Sequence, residues 1–249
     1  MENFDPYYPV EFIKTGIPGF DRLCGGGIPL GSQVLLYGMP GAGKTLFCME
    51  LLYRNAKFGI PSVFISTEER KEDLIRNSLE VFSSFEDLDR FFQDKIINVE
   101  YLRGIDAIKS REEFEETLSK MGQIIKSNKA KIVVLDSVSN LRSRFRNDRT
   151  YTRAVAYISE FGRSLNITGI ATLEMLGKES SQKLGGLYTT SMFDGIVDLN
   201  LKDIGGEYQY VINIPKFRRT EHSTVTAPYM ITSKGFDILV EGKGKPQQH

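Results

Sequence analysis

One eight-residue segment, GMPGAGKT at 38–45, constrains this chain more than any other. It has the form G-x-x-x-x-G-K-[ST], in which glycines let backbone N–H groups surround a phosphate, the lysine reaches the outer phosphate oxygens and the hydroxyl holds Mg²⁺. The apolar run QVLLY precedes it, and the amphipathic stretch 44–58 follows it. The segment therefore predicts a phosphate-binding loop that joins a buried strand to a helix, whose positive dipole end also attracts phosphate. The residues predicted to bind ATP are Gly38, Met39, Pro40, Gly41, Ala42, Gly43, Lys44, Thr45 and Leu46.

Apolar runs alternate with helix-period stretches along most of the chain, which is typical of crossover units and predicts a mainly parallel sheet flanked by helices. Beyond residue 194 the runs GIVDLNL, YQYVINI, APYMIT and FDILVE follow one another at hairpin spacing. They predict antiparallel strands at one edge of the sheet. The other predicted strands are 33–38, 62–66, 96–102, 131–137 and 168–174, and the predicted helices are 44–58, 70–92, 111–128 and 148–166.

Composition and charge limit the domain count and the partners. Hydrophobic side chains make up 41% of the 249 residues and charged side chains 26%, which suits one compact α/β domain. Residues 1–12 are predicted to form an arm, 13–242 the domain and 243–249 a polar tail. The 32 basic and 32 acidic side chains cancel, so a nucleic acid or an anionic membrane would need a local patch of charge.

Two further features predict the compartment. No apolar stretch approaches the ~20 residues that span a bilayer, and the first ten residues, MENFDPYYPV, are unlike a signal peptide. Cys24 and Cys48 are too few for a disulfide framework or a four-ligand zinc site, so a structural role is expected for both. These features predict a cytoplasmic protein with no membrane partner.

An acid at the end of a buried strand is the second requirement of an enzyme with this loop, because the metal needs a carboxylate. Asp136 follows the apolar run IVVL, and it is predicted to hold Mg²⁺ together with Thr45. The alternative is that Asp136 caps a helix after a buried strand.

Hydrolysis also needs a group that orients or deprotonates the attacking water. Glu68 and Glu69 follow the strand VFIST, which is predicted to lie beside the strand that leads into the phosphate-binding loop. Adjacent side chains at a strand end cannot both point at one water, so one is predicted to be the base and the other to assist or to form an ion pair. As an alternative, both acids belong to the first turn of the next helix and interact favourably with its dipole.

With these motifs, the sequence resembles the KaiC-type members of the RecA superfamily over residues 12–242. The resemblance implies a RecA-like P-loop ATPase core with Lys44 and Thr45 on phosphate and Mg²⁺, Asp136 as the metal acid and Glu68 as the catalytic base. The single copy departs from the tandem domains of KaiC clock proteins, and twelve N-terminal residues cannot hold the helix-hairpin-helix module of RadA recombinases. A stand-alone KaiC-like or RadA-paralogue ATPase is therefore expected. The segments that carry the resemblance are TGIPGFDRLCGGGIPLGS, GMPGAGKT, FISTEE, VVLDS and KFRRTEHS.

The resemblance also implies a homo-oligomer, a hexameric ring or a filament, with nucleotides between subunits. In the KaiC pattern a K-x-R element reaches the γ-phosphate held by the neighbouring subunit, and Lys216 and Arg218 match it, with Arg219 directly after them. His222 matches a histidine of the same pattern. If Lys216 and Arg218 do not act on a neighbouring subunit, they are expected to flank an edge strand as solvated charges. In that case His222 is expected to be an ordinary surface residue.

A basic segment after the strand 131–137 bears on the choice of partner. NLRSRFRNDRTYTR at 140–153 has five arginines, one acid and interleaved aromatic residues, which suits a single strand of DNA. In a RecA-like core the first central loop leaves the sheet here, and the strip 178–191 takes the place of the second. Alternatively, the arginines pair with acids of a neighbouring subunit or form a solvated face. The candidate DNA-binding residues are Arg142, Arg144, Arg146 and Arg149.

Two functions from different classes remain open at this point. The main hypothesis is an ATPase of DNA recombination or repair that binds single-stranded DNA. The alternative is a regulatory or assembly ATPase that switches contacts with a protein partner. A small-molecule kinase is less favoured, because the sequence shows no separate acceptor domain or lid.

Overall fold

The computed structural model describes residues 10–102, 108, 110–141, 148–174 and 191–240, without the side chains of residues 148, 149 and 204. A 3₁₀ turn, Ser139–Leu141, follows the sixth strand. The strands and helices in chain order are β1 (Phe12–Ile13), α1 (Phe20–Leu23), β2 (Ile28–Pro29), β3 (Gln33–Gly38), α2 (Lys44–Ala56), β4 (Ser62–Ser66), α3 (Lys71–Val81), α4 (Leu88–Gln93), β5 (Ile97–Tyr101), α5 (Arg111–Ser127), β6 (Ile132–Asp136), α6 (Asp148–Ser164), β7 (Thr168–Glu174), β8 (Gly195–Ile204), β9 (Glu207–Phe217), β10 (Ala227–Thr232) and β11 (Gly235–Ile238).

Strands β1 and β2 pair with each other, and the other nine form one sheet in the order β11-β10-β9-β8-β3-β7-β6-β4-β5. The six strands from β8 to β5 are parallel, and β9, β10 and β11 are antiparallel to their neighbours. The predicted mainly parallel sheet with antiparallel edge strands is confirmed. For β8 alone the predicted direction is wrong, because Asp194 donates its N–H to the Gln33 carbonyl at 2.7 Å and the chain enters β8 from the same end as β3.

Both faces of the parallel part are covered by helices, which is why β3, β4 and β6 are buried along their whole length. Helices α2, α3 and α4 pack on one face, and α5 and α6 on the other. Alternate residues of β3 serve the two faces, Val34 and Leu36 one of them, Leu35 and Tyr37 the other. Within the described ranges, no helix combines the length and apolarity needed to cross a membrane.

The predicted helices 44–58, 111–128 and 148–166 correspond to α2, α5 and α6, but the predicted helix 70–92 is wrong, since it divides into α3 and α4.

The break between α3 and α4 brings aromatic rings into the core. Phe82 leaves helical geometry with φ −95° and ψ 52°. Its ring stacks on Phe85 with 4.5 Å between centroids, and Phe85 stacks on Tyr53 of α2 at 3.9 Å. Burying these large rings compensates for the interrupted helix.

The carboxyl ends of the parallel strands meet at one edge of the sheet, where Gly38 ends β3, Ser66 ends β4, Asp136 ends β6 and Glu174 ends β7. The prediction that the VFIST strand lies beside the strand of the phosphate-binding loop is wrong. Strand β4 lies between β6 and β5, and the register partner of Ser66 is Asp136. The residues that follow β4 are therefore placed next to the predicted metal acid.

Candidate nucleotide-binding site

The phosphate-binding loop joins β3 to α2, and two of its glycines lie where a side chain does not fit. Gly43, directly before α2, has a φ of 83°, a left-handed conformation that other residues rarely adopt. At Gly38 a Cβ atom would clash with the carbonyl oxygen of Leu199 on the adjacent strand β8. The glycine pattern of the motif is therefore required by the backbone.

The loop forms one side of a cavity of about 270 Å³, and the chain beyond β4, β6 and β7 forms the other. Gly38 and Met39 of the loop do not line this cavity. Their carbonyls accept hydrogen bonds from Lys44 Nζ at 3.1 and 2.9 Å. The cavity brings most of the predicted loop residues together with the predicted base and metal acid. Its lining residues are Pro40, Gly41, Gly43, Lys44, Thr45, Leu46, Glu68, Asp136, Ser137 and Glu174.

Lys44 shares this cavity with three carboxylates. Burial lowers the pKa of Lys44, and the charges of Glu174, Asp136 and Glu68 oppose that shift. One cation against three acids is a negative balance of formal charge, which would repel a polyphosphate. A ligand of that kind needs a further positive charge in the cavity, and oxygen-rich surroundings suit Mg²⁺.

Thr45 and Asp136 are the two residues whose oxygens could hold such a cation. Thr45 Oγ1 donates to Asp136 Oδ2 at 2.7 Å, and Thr172 Oγ1 donates to Asp136 Oδ1. Burial raises the pKa of Asp136, and the bonds from Thr172 and Thr45 oppose the shift. A hydroxyl beside a buried carboxylate at the start of a helix fits the ligand set of Mg²⁺ at a P-loop.

Glu68 and Glu69 have separate surroundings. The carboxylate of Glu68 accepts a hydrogen bond from Ser137 Oγ and lines the cavity. The carboxylate of Glu69 accepts from Asn77 Nδ2 at 2.9 Å, at an exposed position of α3. The two acids point to different places, and Glu68 is the one beside Lys44 and Asp136.

Sequence reasoning missed Glu174, Thr172 and Ser137 at this site. Glu174 ends β7 just as Asp136 ends β6, so an acid after the apolar run of TGIATLE was an available signal. Its N–H donates to Ser139 Oγ at 2.8 Å. Thr172 and Ser137 carry no such signal, because a hydroxyl in or after a strand is common.

Lys216 and Arg218 do not line this cavity. Lys216 Nζ donates to the Phe193 carbonyl at 2.6 Å, and Arg218 Nη2 donates to the Ser191 carbonyl at 3.1 Å. Arg219 Nη2 instead donates to Ser32 Oγ at 2.8 Å, next to the start of β3. Burial lowers the pKa of Lys216, and the charge of Arg218 lowers it further.

Asp194 lies between two arginines, Arg218 and Arg163. Asp194 Oδ1 lies 3.7 Å from Arg218 Nη1, and Asp194 Oδ2 accepts from Arg163 Nη2 of α6 at 3.0 Å. The side chain of Arg218 is 53% exposed, so its guanidinium is held at the surface. His222 is half-buried, and its Nδ1 lacks a hydrogen-bond partner among the described residues.

The side chains of the candidate DNA-binding residues and most of the strip 178–191 fall outside the described part of the chain. Arg142, Arg144 and Arg146 lie outside the described residues, as does the side chain of Arg149. Residues 178–190 of the strip also lie outside the described residues.

Cys24 and Cys48 are both free and buried. Burial raises the pKa of each thiol far above its ordinary value, so neither is a reactive thiolate.

A mainly parallel sheet, a phosphate-binding loop between β3 and α2, and strand-end acids facing that loop together define a P-loop nucleoside triphosphatase of the RecA type. The chain belongs, within that class, to the KaiC family of ATPases. The family model described as "ATPase: KaiC" matches residues 13–243.

Relatives of similar length and longer ones both match. A UPF0273 protein of Thermotoga maritima is 28% identical over 246 residues, which cover 95% of this chain and 99% of that protein. The circadian clock protein KaiC2 of Synechocystis is 28% identical over 228 residues, but these cover 90% of this chain and 39% of the clock protein. A solved structure, a KaiC-like protein of Pyrococcus horikoshii, superimposes with a TM-score of 0.78 at 29% identity, covering 93% of this chain and all of that one.

Proposed function

We propose that this protein is an ATPase that uses Mg²⁺ and that binds and hydrolyses ATP to switch contacts between protein subunits or with a protein partner. One observation carries the proposal. The phosphate-binding loop, an oxygen pair suited to Mg²⁺ and a carboxylate suited to a general base all line a single cavity.

The binding step uses groups with fixed directions. Backbone N–H groups of the loop and the first turn of α2 face the phosphates, and the helix dipole favours their negative charge. Lys44 would exchange its carbonyl partners for phosphate oxygens, and Thr45 and Asp136 would hold Mg²⁺. When bound, Mg²⁺ would neutralise negative charge on the phosphates.

The hydrolytic step uses Glu68 as the general base. Its carboxylate lies in the cavity, and the hydroxyl of Ser137 donates a hydrogen bond to it, which orients it. An ionised carboxylate can accept a proton from a water that attacks the γ-phosphate. Glu69 contacts Asn77 outside the cavity, and we assign it a structural role.

Lys216 and Arg218 are proposed to stabilise transition-state charge on a neighbouring subunit. Neither residue lines the cavity of its own chain. Lys216 Nζ contacts the Phe193 carbonyl, and the exposed guanidinium of Arg218 contacts Ser191 and Asp194. This proposal makes the active protein a homo-oligomer, a ring or a filament, whose sites are completed between chains.

Membership in the KaiC family supports a protein switch more than a DNA-binding role. The hypothesis of recombination or repair depends on Arg142, Arg144 and Arg146, which lie outside the described residues, and on Arg149, whose side chain does as well. The deciding experiment measures the rate of ATP hydrolysis over a range of protein concentrations, with and without single-stranded DNA. We expect specific activity to rise as chains associate and DNA to have no effect. Stimulation by DNA at low salt would restore the recombination hypothesis. No ATP hydrolysis at any protein concentration would contradict the proposal that the protein is an ATPase.

A further inference from the structure

The hairpin formed by β10 and β11 contacts the phosphate-binding loop from outside the cavity. Tyr229 Oη donates to the Ala42 carbonyl at 2.6 Å, and both residues are buried. At the next residue, Gly43, an added Cβ would clash with Ile231 Cδ1 and lie 3.0 Å from Phe236 Cζ. Three hairpin side chains therefore pack directly against the loop backbone.

The hydroxyl of Tyr229 fixes the orientation of one peptide group. The Ala42 carbonyl and the Gly43 N–H belong to the same planar trans peptide and point in opposite directions. A hydrogen bond that holds the carbonyl toward the hairpin directs the N–H to the other side of the loop. Gly43 lines the cavity on that side, and N–H groups at this place in the motif are the ones that cradle phosphate.

A buried acid on α2 holds the same hairpin in position. Glu50 has a fully buried side chain, accepts the Phe236 N–H at 2.6 Å and pairs with Arg54 at 2.7 Å. A Cβ at Gly235 would clash with the Glu50 carboxylate, so the hairpin turn lies against it. Because α2 begins directly after the loop, the hairpin is attached to both the loop and the helix that follows.

We propose that Tyr229 is a positioning residue for nucleotide binding, acting through its hydrogen bond to the Ala42 carbonyl. This inference rests on the proposed function, since it concerns the same loop, and it adds that the C-terminal hairpin sets nucleotide affinity. Loss of the hydroxyl leaves the buried carbonyl without this partner, and the peptide group no longer has one preferred orientation. ATP and ADP should be affected alike, because the loop N–H groups contact the phosphates that both nucleotides share.

The test is Tyr229→Phe, which removes the hydroxyl and keeps the ring. We expect the Kd for ATP and for ADP, each with Mg²⁺, to rise ~3–10-fold, while kcat at saturating ATP changes less than about twofold. Tyr210→Phe is the matched control, because that ring lies 5.5 Å from Tyr229 and is 39% exposed. It should leave both Kd values unchanged. A second readout is hydrogen exchange of residues 38–47 in ligand-free protein, which should be faster in Tyr229→Phe only.

A hydroxyl with a purely structural role would lower the melting temperature of the ligand-free protein and leave the Kd of the folded variant unchanged, and that result overturns the inference. If Lys44→Ala also leaves affinity unchanged, the proposed function itself is wrong. A strong Lys44 effect with no Tyr229 effect refutes only the inference. Should Tyr229→Phe fail to fold, Ile231→Val replaces it, since it removes the methyl over Gly43. A rise in Kd of about twofold is then expected, and no rise contradicts the inference.

Discussion

The parallel and antiparallel parts of the sheet hold their charged groups in different ways. In the parallel part, Lys44, Glu68 and Asp136 converge on one cavity of about 270 Å³. In the antiparallel part, Lys216 and Arg218 contact main-chain carbonyls outside that cavity. One chain thus assembles a binding site, but the two cations proposed to stabilise the transition state, Lys216 and Arg218, lie outside it. If both sets serve one reaction, they must meet across an interface between two chains, and the following substitutions test each set in turn.

The largest effect on nucleotide affinity is expected from the parallel part, in Lys44→Ala. The change removes the ammonium from a cavity that also contains three carboxylates, so the repulsion of a polyphosphate is no longer offset. We expect ATP affinity in the presence of Mg²⁺ to fall on the order of 100-fold, measured by calorimetry. The loop glycines remain, so circular dichroism should show a folded protein. A folded variant with undiminished affinity would refute nucleotide binding at this loop.

The sequence predicted the parallel part well, because its signals are local. The motif at 38–45 dictates the loop, and the buried run before Asp136 dictates a strand that ends at the cavity. Strand order is not local, so the neighbours of β4 were predicted incorrectly even though Glu68 was placed at the correct edge. The direction of β8 and the break at Phe82 also depend on distant partners, Gln33 in one case and Tyr53 in the other.

The hydrogen bond from Tyr229 to Ala42 had no sequence signal at all. The two residues lie 187 positions apart, and neither belongs to a pattern that identifies the other. Glu174, by contrast, was available from the same reasoning that selected Asp136, because it is an acid at the end of an apolar strand. Side-chain contacts between elements therefore mark the point where sequence reasoning stops.

The second prediction separates the two adjacent glutamates. Glu68→Gln should keep ATP affinity and lower kcat by ~10²–10⁴-fold, because an amide cannot accept the proton of the attacking water. Glu69→Gln is the matched control, since its carboxylate contacts Asn77 on the surface of α3. Its kcat should stay within about twofold of wild type. The assignment of the base is wrong if Glu69→Gln proves the more damaging change in single-turnover hydrolysis.

The third prediction joins the two parts of the sheet across chains. The double variant Lys216→Ala/Arg218→Ala and the variant Glu68→Gln should each be nearly inactive alone. An equal mixture should recover roughly a quarter of wild-type activity if subunits associate at random, because one interface in four then combines Glu68 with both cations. The measurement is ATP hydrolysis after the two proteins are unfolded and refolded together.

Two results would contradict action between chains. One is a mixture with no more activity than its components, although light scattering shows that mixed oligomers form. The other is full activity in a wild-type preparation that light scattering shows to be monomeric. An equal mixture of Glu68→Gln with Lys44→Ala serves as the control. Both residues belong to the cavity of a single chain, so every cavity in that mixture carries one of the two defects and no activity should be recovered.

The smallest effect expected is on stability, and it has opposite signs at Asp136 and at Asp194. In the parallel part, burial raises the pKa of Asp136, which means that the folded chain disfavours the ionised carboxylate. Asp136→Asn should therefore stabilise the ligand-free protein at pH 7 by about 1 kcal/mol. Just before β8 and beside Arg218, Asp194 accepts from Arg163 and from the Gln33 N–H, so Asp194→Asn should destabilise by about 1 kcal/mol.

The pH dependence gives the sign of the Asp136 effect independently. Below the ordinary aspartate pKa of ~4, the carboxyl is neutral in both folded and unfolded chains, so wild type and Asp136→Asn should have nearly equal stability. As the pH rises through the raised pKa of Asp136 in the folded chain, the wild type loses stability and Asp136→Asn does not. The difference in free energy of unfolding between the two proteins therefore increases. Melting temperatures at pH 5 and pH 7 without nucleotide should show this, with a shift of ~2–4 °C per kcal/mol. With Mg²⁺ and ATP the order should reverse, because the carboxylate then gains a cation that the amide does not hold. If Asp136→Asn is the less stable protein at pH 7 without ligand, the ionised carboxylate is a net stabilising group, and the sign predicted from its burial is wrong.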